Sequence, residues 1–230
     1  MPRVELGTIV ITGGASGLGA AAADAIFHAG GTPVVLDLRP GPDWCDSEQV
    51  DLADGRAAED AVGRAAERHG GLDGVVAAAG IDACGDIGDV EAAAWERVVA
   101  VNLLGTVAVV RAALPHLVER GGRVVTVAST LGMRALPAAT AYCASKFGVV
   151  GFTRALAAET AGRVGVTLLV PGGMSTSFFD GRDEQFRPPA DAQLNRPEDV
   201  ARSIVFALSQ PAGCEVREMV VCPATEPSWP

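Results

Sequence analysis

Short unbroken apolar runs alternate with long helix-forming stretches along the chain, and this alternation limits its fold more than any other property of the sequence. Runs at 8–11, 33–36, 74–78, 123–128, 166–170 and 218–222 read as strands, and residues 18–29, 54–68, 90–117, 141–160 and 200–208 as helices. The first helix stops at Gly30 and Gly31, and the last opens on Pro197, Glu198 and Asp199. The strands are apolar throughout instead of alternating, as a parallel sheet requires when helices cover both its faces. The fold class is therefore α/β: a doubly wound parallel sheet in a three-layer αβα sandwich with right-handed crossovers. No repeat or low-complexity tract divides residues 1–230, which form a single domain on this reading. Only 13 residues separate Asp37 from Asp51, with Pro40, Gly41 and Pro42 among them, which is too few for a crossover helix plus a strand. A loop is expected there.

Composition excludes several classes. At 230 residues and 49% apolar content the chain can bury a sizeable core. Its formal net charge of −10 argues against nucleic acid as a partner, because that affinity rests on Lys and Arg neutralising phosphates. No uninterrupted apolar run reaches the roughly 18 residues that span a bilayer, and residues 1–5 are too short and polar for a signal peptide. A soluble, cytoplasmic protein with no membrane partner is expected. The five cysteines form no C-x-x-C pair and the three histidines have no ligand spacing, so reduced thiols and no metal site are expected.

Thr12-Gly13-Gly14-Ala15-Ser16-Gly17-Leu18-Gly19 lies between the first strand and the first helix. Glycines there permit a tight turn and a close approach to a pyrophosphate, which then meets the positive end of the helix. The spacing is G-x-x-x-G-x-G, and without a G-K-[ST] ending it is not the loop of a nucleoside-triphosphatase. Asp37 closes the second strand 18 residues after Gly19, where an acid accepts hydrogen bonds from the ribose hydroxyls of a dinucleotide. A carboxylate there repels a 2′-phosphate, so NAD(H) is expected over NADP(H). Arg39, two residues on, can blunt that preference and keeps NADP(H) open.

The residues suited to chemistry are scarce. Of the 18 basic residues only Lys146 is a lysine, and it follows the one tyrosine, Tyr142, by four positions. On a helix that offset places both on one face. A tyrosine at its ordinary pKa near 10 is a poor base at neutral pH, and the neighbouring ammonium is expected to lower that value. Ser129 follows the apolar run 124–128 at a strand's carboxyl end, where ligands meet open α/β sheets. It lacks the G-x-S-x-G elbow of an acyl-transfer nucleophile. Residues 172–196 hold two prolines, several charges and the pair Phe178-Phe179. A loop this long after a strand's carboxyl end reads as a substrate lid. Leu131, Leu136, Met174, Phe178 and Phe179 are the apolar candidates around a substrate.

Over about residues 8–208 the chain resembles the short-chain dehydrogenase/reductase family in its compact single-domain branch. The likeness rests on the glycine motif, Asp51-Leu52, Asn102 between Val101 and Leu103, Ser129, Tyr142-x-x-x-Lys146, Pro171-Gly172 and Thr176, in the family's order and spacing. The resemblance implies a Rossmann-type domain in which Tyr142 donates and accepts the proton and Ser129 orients the substrate oxygen. Lys146 would hold the nicotinamide ribose and depress the Tyr142 pKa, and Asn102 would anchor a proton-relaying water. Cofactor contacts are implied at Gly13, Ser16, Gly17, Leu18 and Gly19, and at Asp37, Asp51 and Leu52 on the adenosine side. Ala79, Gly80, Pro171 and Gly172 complete the set with Thr176, which would meet the nicotinamide amide. Helices near 103–117 and 141–160 would pair copies into a homodimer or homotetramer.

Two departures from the family's pattern stand out. Ala77-Ala78-Ala79-Gly80 replaces its Asn-Asn-Ala-Gly, for which slightly lower stability and intact chemistry are expected. The tail 220–230 lacks the frequent glycine-rich close, which removes the ground for carrying over assembly contacts there. The expected function is NAD(P)-dependent hydride transfer between a secondary alcohol and its ketone, with a small-molecule substrate. Two alternatives remain: an NADPH-dependent ketoreductase of acyl or polyketide-type substrates, and a non-catalytic nucleotide-sensing protein on the same fold. The joint presence of Asn102, Ser129, Tyr142 and Lys146 weighs against a sensor.

Overall fold

The computed structural model describes residues 6–229; the signal-peptide reading of residues 1–5 falls outside the described residues. Strand β1 (Thr8–Thr12) is buried along its whole length and lies between β2 (Thr32–Asp37) and β4 (Gly74–Ala77), parallel to both. With β3 (Asp46–Gln49), β5 (Arg123–Val127), β6 (Gly165–Pro171) and β7 (Glu218–Val221) they form one parallel sheet in the order β3-β2-β1-β4-β5-β6-β7. The order reverses between β1 and β4, and a crevice opens there at the carboxyl ends of the strands.

Alternation along β1 divides the core between two helical layers. Ile9 and Ile11 pack with Ala22, Ala23 and Ile26 of α1 (Gly17–His28) and with Val200 and Ile204 of α6 (Pro197–Leu208). Val10 faces the other way, onto Ala61, Val62 and Ala65 of α2 (Gly55–His69) and Val109, Ala113 and Leu117 of α4 (Thr106–Arg120). Each such fully buried aliphatic side chain stabilises the fold by about 1.5–3 kcal/mol. A third helix on that face, α5 (Thr140–Glu159), sets Val149 and Val150 against Leu168 and Val170 of β6.

Where a loop was expected between Asp37 and Asp51, the chain forms β3 with no crossover helix. Residues 38–45 alone return the chain to pair parallel with β2, Val34 opposite Asp46. This edge strand, Asp-Ser-Glu-Gln, has no apolar run to announce it. Polar contacts from the last turns of α2 hold it: Arg64 and Arg68 reach Glu48, and Arg68 and His69 reach Asp46. The edge strand β7 also departs from the all-apolar expectation, with Glu218 exposed and paired to Arg154.

The segment expected as one helix over 90–117 is α3 (Ala92–Val99), a wide π-type turn (Ala100–Gly105) and α4. This Ala92–Arg120 rod contains an 18-residue window of mean hydropathy 1.8, long and apolar enough by length and composition to cross a membrane, and half of that window is buried inside the fold.

Candidate active site

The glycine turn follows β1 directly. Gly13 has φ +72°, and a Cβ on it would come within 2.8 Å of the Ala79 backbone; a Cβ on Gly19 would meet the Gly13 carbonyl oxygen at 2.2 Å. Only glycine allows α1 to begin this close to the strand. Ser16, at its N-cap, makes no side-chain cap bond and the first turn holds no acid, so the exposed N–H groups and positive helix end suit a pyrophosphate.

At the far end Asp37 accepts from the Ala15 N–H at 3.1 Å and the Arg39 N–H at 3.0 Å, one on each carboxylate oxygen. Each oxygen keeps a further acceptor position. The Arg39 guanidinium donates to Ser16 Oγ at 2.6 Å, which places a cation beside the carboxylate. Asp51 accepts from Arg97, and Leu52 is buried beside it at the cleft.

The nucleotide turn opens into a cleft of about 1170 Å³ that runs along the carboxyl ends of the strands. This exceeds the roughly 300–1,000 Å³ of a typical ligand site and leaves room for a second molecule beside a dinucleotide. Every cofactor position expected from the sequence lines it, from Gly13, Ser16, Gly17, Leu18 and Gly19 to Ala79, Gly80, Pro171, Gly172 and Thr176. The uncapped helix end, the glycine cradle and the carboxylate at Asp37 together fit a nicotinamide dinucleotide.

The reacting end lies beyond β5. Ser129 caps a short 3-10 turn (Thr130–Gly132), its Oγ accepting from the Leu131 N–H at 3.1 Å, and its side chain lies close enough to Tyr142 to lower the phenol's pKa. Tyr142 and Lys146 share one face of α5, with Lys146 Nζ 5.6 Å from the tyrosine ring centroid. Lys146 is buried and donates to the Val127 carbonyl at 2.8 Å.

The expected lowering of the Tyr142 pKa is not found. Burial pushes it up to about 12, and the Asp82 charge raises it, against lowering by Ser129 and Arg182. Burial also pulls Lys146 down to about 8. Burial dominates, and with its own value near 8 Lys146 is already neutral at the pH where the phenol ionises.

Asn102 lies in the wide turn, fully buried behind the cleft. Its side chain accepts from Ile81 N–H at 2.8 Å and donates to the Ile81 carbonyl and to Ser145 Oγ, while its carbonyl accepts from Thr106. It thereby braces the segment after β4, and Thr12 Oγ1 supports the Ala79 N–H from the other side at 3.1 Å. These contacts stand where the family's usual asparagine side chains are missing.

The 172–196 segment holds two one-turn 3-10 helices, Ser177–Phe179 and Glu184–Phe186, and a bridge between Met174 and Asn195 ties its base. The Phe178 ring lies 5.5 Å from that of Tyr142. All five apolar substrate candidates line the cleft.

An interaction absent from the sequence reading locks this segment to the body of the fold. Arg182 pairs with Asp82 at 3.0 Å, the two side chains only 15% and 7% exposed, and the guanidinium sits 4.6 and 4.8 Å from the Phe178 and Phe179 ring centroids. Cys84 donates to the same Asp82 at 3.3 Å, and burial pushes its thiol up to about 11, which leaves it un-ionised at neutral pH. The partners are 100 residues apart, and no local signal could have joined them.

The model of the short chain dehydrogenase family matches residues 7–186. The chain belongs to the short-chain dehydrogenase family. It is similar to 2-(S)-hydroxypropyl-CoM dehydrogenase 3 of Xanthobacter autotrophicus, 34% identical over 91% of this chain and 92% of the relative. It is also similar to a 3-oxoacyl-[acyl-carrier-protein] reductase of Thermotoga maritima, 29% identical over 90% of this chain and 92% of that one. A short chain dehydrogenase of Burkholderia cenocepacia, solved in complex with NADP, superposes with a TM-score of 0.83 at 28% identity, covering 96% of this chain and 98% of that one. As a family member the protein is an NAD(P)-dependent oxidoreductase that transfers hydride between a nicotinamide cofactor and an alcohol or ketone.

Proposed function

We propose that the cleft interconverts a small secondary alcohol and its ketone with Tyr142 as the proton-transferring group. The observation that carries this reading is the convergence of the Ser129 and Tyr142 side chains, with Lys146 behind them, at the carboxyl end of β5 under Phe178. When bound, the nicotinamide supplies the hydride donor or acceptor. In reduction, burial keeps Tyr142 protonated; its O–H gives up the proton to the carbonyl oxygen that Ser129 also holds. In oxidation Tyr142 must first be ionised to take the alcohol proton, and the Lys146 ammonium, about nine-tenths protonated at pH 7 with its pKa near 8, is the neighbouring cation. Tyr142→Phe should cut kcat by about 10²-fold or more, the usual weight of a general acid or base, with cofactor affinity unchanged. A variant that keeps most of its activity would sink the assignment.

NAD(H) is the favoured cofactor because Asp37 offers acceptors where a 2′-phosphate would bring negative charge. NADP(H) is the second reading, favoured by Arg39 on Ser16 and by the NADP complex of the Burkholderia relative. The kcat/KM ratio for the two cofactors decides between them. If Asp37 is the discriminator, Asp37→Ala shifts that ratio at least about tenfold toward NADP, the size of one like-charge contact; an unmoved ratio removes Asp37 from the role. The reading also pairs two copies across the wide turn with α4 and across α5, where Leu104 of the turn and Phe147 of α5 stand 58% and 45% exposed. Sedimentation of Phe147→Glu tests this, and unchanged association would refute that face.

A further inference from the structure

The segment after β7 departs from the family's usual close, and the reading above gives it no work. Its residues Thr225 to Ser228 line the cleft, with Glu226 set against the loop that follows β6. Glu226 Oε2 accepts from the Gly173 N–H at 2.7 Å. Its Oε1 accepts from the Ser228 N–H at 3.1 Å and lies 2.6 Å from Ser228 Oγ, which is 2.7 Å from Thr130 Oγ1. A carboxylate can only accept, so the Ser228 hydroxyl donates to Glu226, and it is also hydrogen-bonded to Thr130 Oγ1. Ser228 and Thr130 are buried, and Trp229 packs onto the cluster of Val149, Leu168 and Val170.

One carboxylate thus ties together the two loops that flank the reacting centre. Thr130 follows Ser129 directly, and Gly173 follows Pro171 and Gly172. A Cβ on Gly172 would come within 2.3 Å of Glu226 Oε2, so the carboxylate fills the space a side chain would take. Hydrogen bonds to an ionised acceptor are the shorter and stronger class. A glutamine cannot replace them: its single oxygen serves one arm, and its NH₂ meets a donor on the other.

We infer that Glu226 is a positioning residue for hydride transfer, holding the loops at 129–130 and 171–173 in fixed relation. The inference rests on the reading of Ser129 as the oxygen-orienting group and of 171–176 as the nicotinamide side. Glu226 touches no reacting atom.

The test compares Glu226→Gln with the wild type for binding of a reduced dinucleotide and of its nicotinamide-free fragment. These are NADH with ADP-ribose, or NADPH with 2′-phospho-ADP-ribose. The fragment reaches only the Gly13 to Gly19 and Asp37 end. The dinucleotide Kd should rise about fivefold to tenfold, the size of one weakened charged hydrogen bond, while the fragment Kd stays within about twofold. Both ligands weakening alike, or neither, overturns the inference whatever the activity. The kcat/KM for alcohol or ketone should fall about tenfold or more, since small misplacements at the reacting centre are costly.

If Glu226→Gln does not fold, Ser228→Ala cuts only the Thr130 arm. It should lower kcat/KM about threefold or more with little change in dinucleotide Kd; a wild-type kcat/KM there overturns the inference. A wild type that binds dinucleotide but turns over no alcohol or ketone refutes the hydride-transfer reading instead, and leaves the binding comparison to decide the role of Glu226.

Discussion

Replacing Lys146 by Met should abolish turnover and yet make the protein more stable at neutral pH. Lys146 is 3% exposed, its one hydrogen bond runs to the Val127 carbonyl, and among the described residues it enters no ion pair. Burial lowers its pKa from 10.5 to about 8. At about 1.36 kcal/mol per pH unit, that lowering corresponds to a cost of roughly 3 kcal/mol for the ammonium in the folded state at pH 7. Losing the bond to Val127 offsets about 1–1.5 kcal/mol of the gain, and methionine fills similar volume without charge. The net expectation is about 1.5–2 kcal/mol of added stability, or about 3–8 °C in melting midpoint for a chain of this size.

The sign changes with pH in a defined way. Because the folded pKa lies below the unfolded one, the unfolded chain binds more protons between about pH 8 and 10.5, and wild-type stability climbs through that window. Urea unfolding of both proteins at pH 7 and pH 9.5 is the assay, and the gap between them should close at the higher value. A variant less stable than wild type at pH 7, or a gap indifferent to pH, would refute the reasoning.

Tyr142 is the one tyrosine, so the near-ultraviolet tyrosinate signal reports it alone. With its pKa pushed to about 12, the folded protein should stay about 97% phenolic at pH 10.5, where free tyrosine is about three-quarters ionised; half-ionisation near pH 10 would contradict this. Ser129→Ala should move the midpoint up and Asp82→Asn should move it down, because the Ser129 hydroxyl lowers the value and the Asp82 charge raises it. Asp82→Asn, Arg182→Met and the double variant form a cycle on substrate KM with an expected coupling of about 1.5–3 kcal/mol, the worth of a hydrogen bond to a charged group. Additive effects would show that this pair does not close the 172–196 segment over the substrate.

What the sequence made legible was whatever is written locally. The glycine turn, the Tyr142 and Lys146 offset and the apolar strands announce themselves within a few residues, and the structure brings Ser129, Tyr142 and Lys146 together as read. β3 was missed because its residues are polar and its stability comes from Arg64, Arg68 and His69 on a helix that follows it in the chain. The wide turn at Asn102 carries no composition signal of its own. Arg182 with Asp82, and Glu226 with Gly173, join positions that only the assembled sheet makes neighbours. The tail did leave a trace, since its departure from the family's close marked the place where new contacts formed.

The wide turn at Ala100–Gly105 gives the long helix a break in phase. A π-type turn takes in about one residue more than the 3.6 of an α-turn, which sets the two halves roughly 100° apart around a shared axis. Before the break, Trp95 bonds to Thr140 at the start of α5 and Arg97 to Asp51 at the mouth of the cleft. After it, Val109, Ala113 and Leu117 lie flat on the sheet. A straight α-helix of the same composition, one residue shorter, could keep only one of these two alignments. The length of this rod, counted to the residue, therefore carries information about the active site that its apolar character hides.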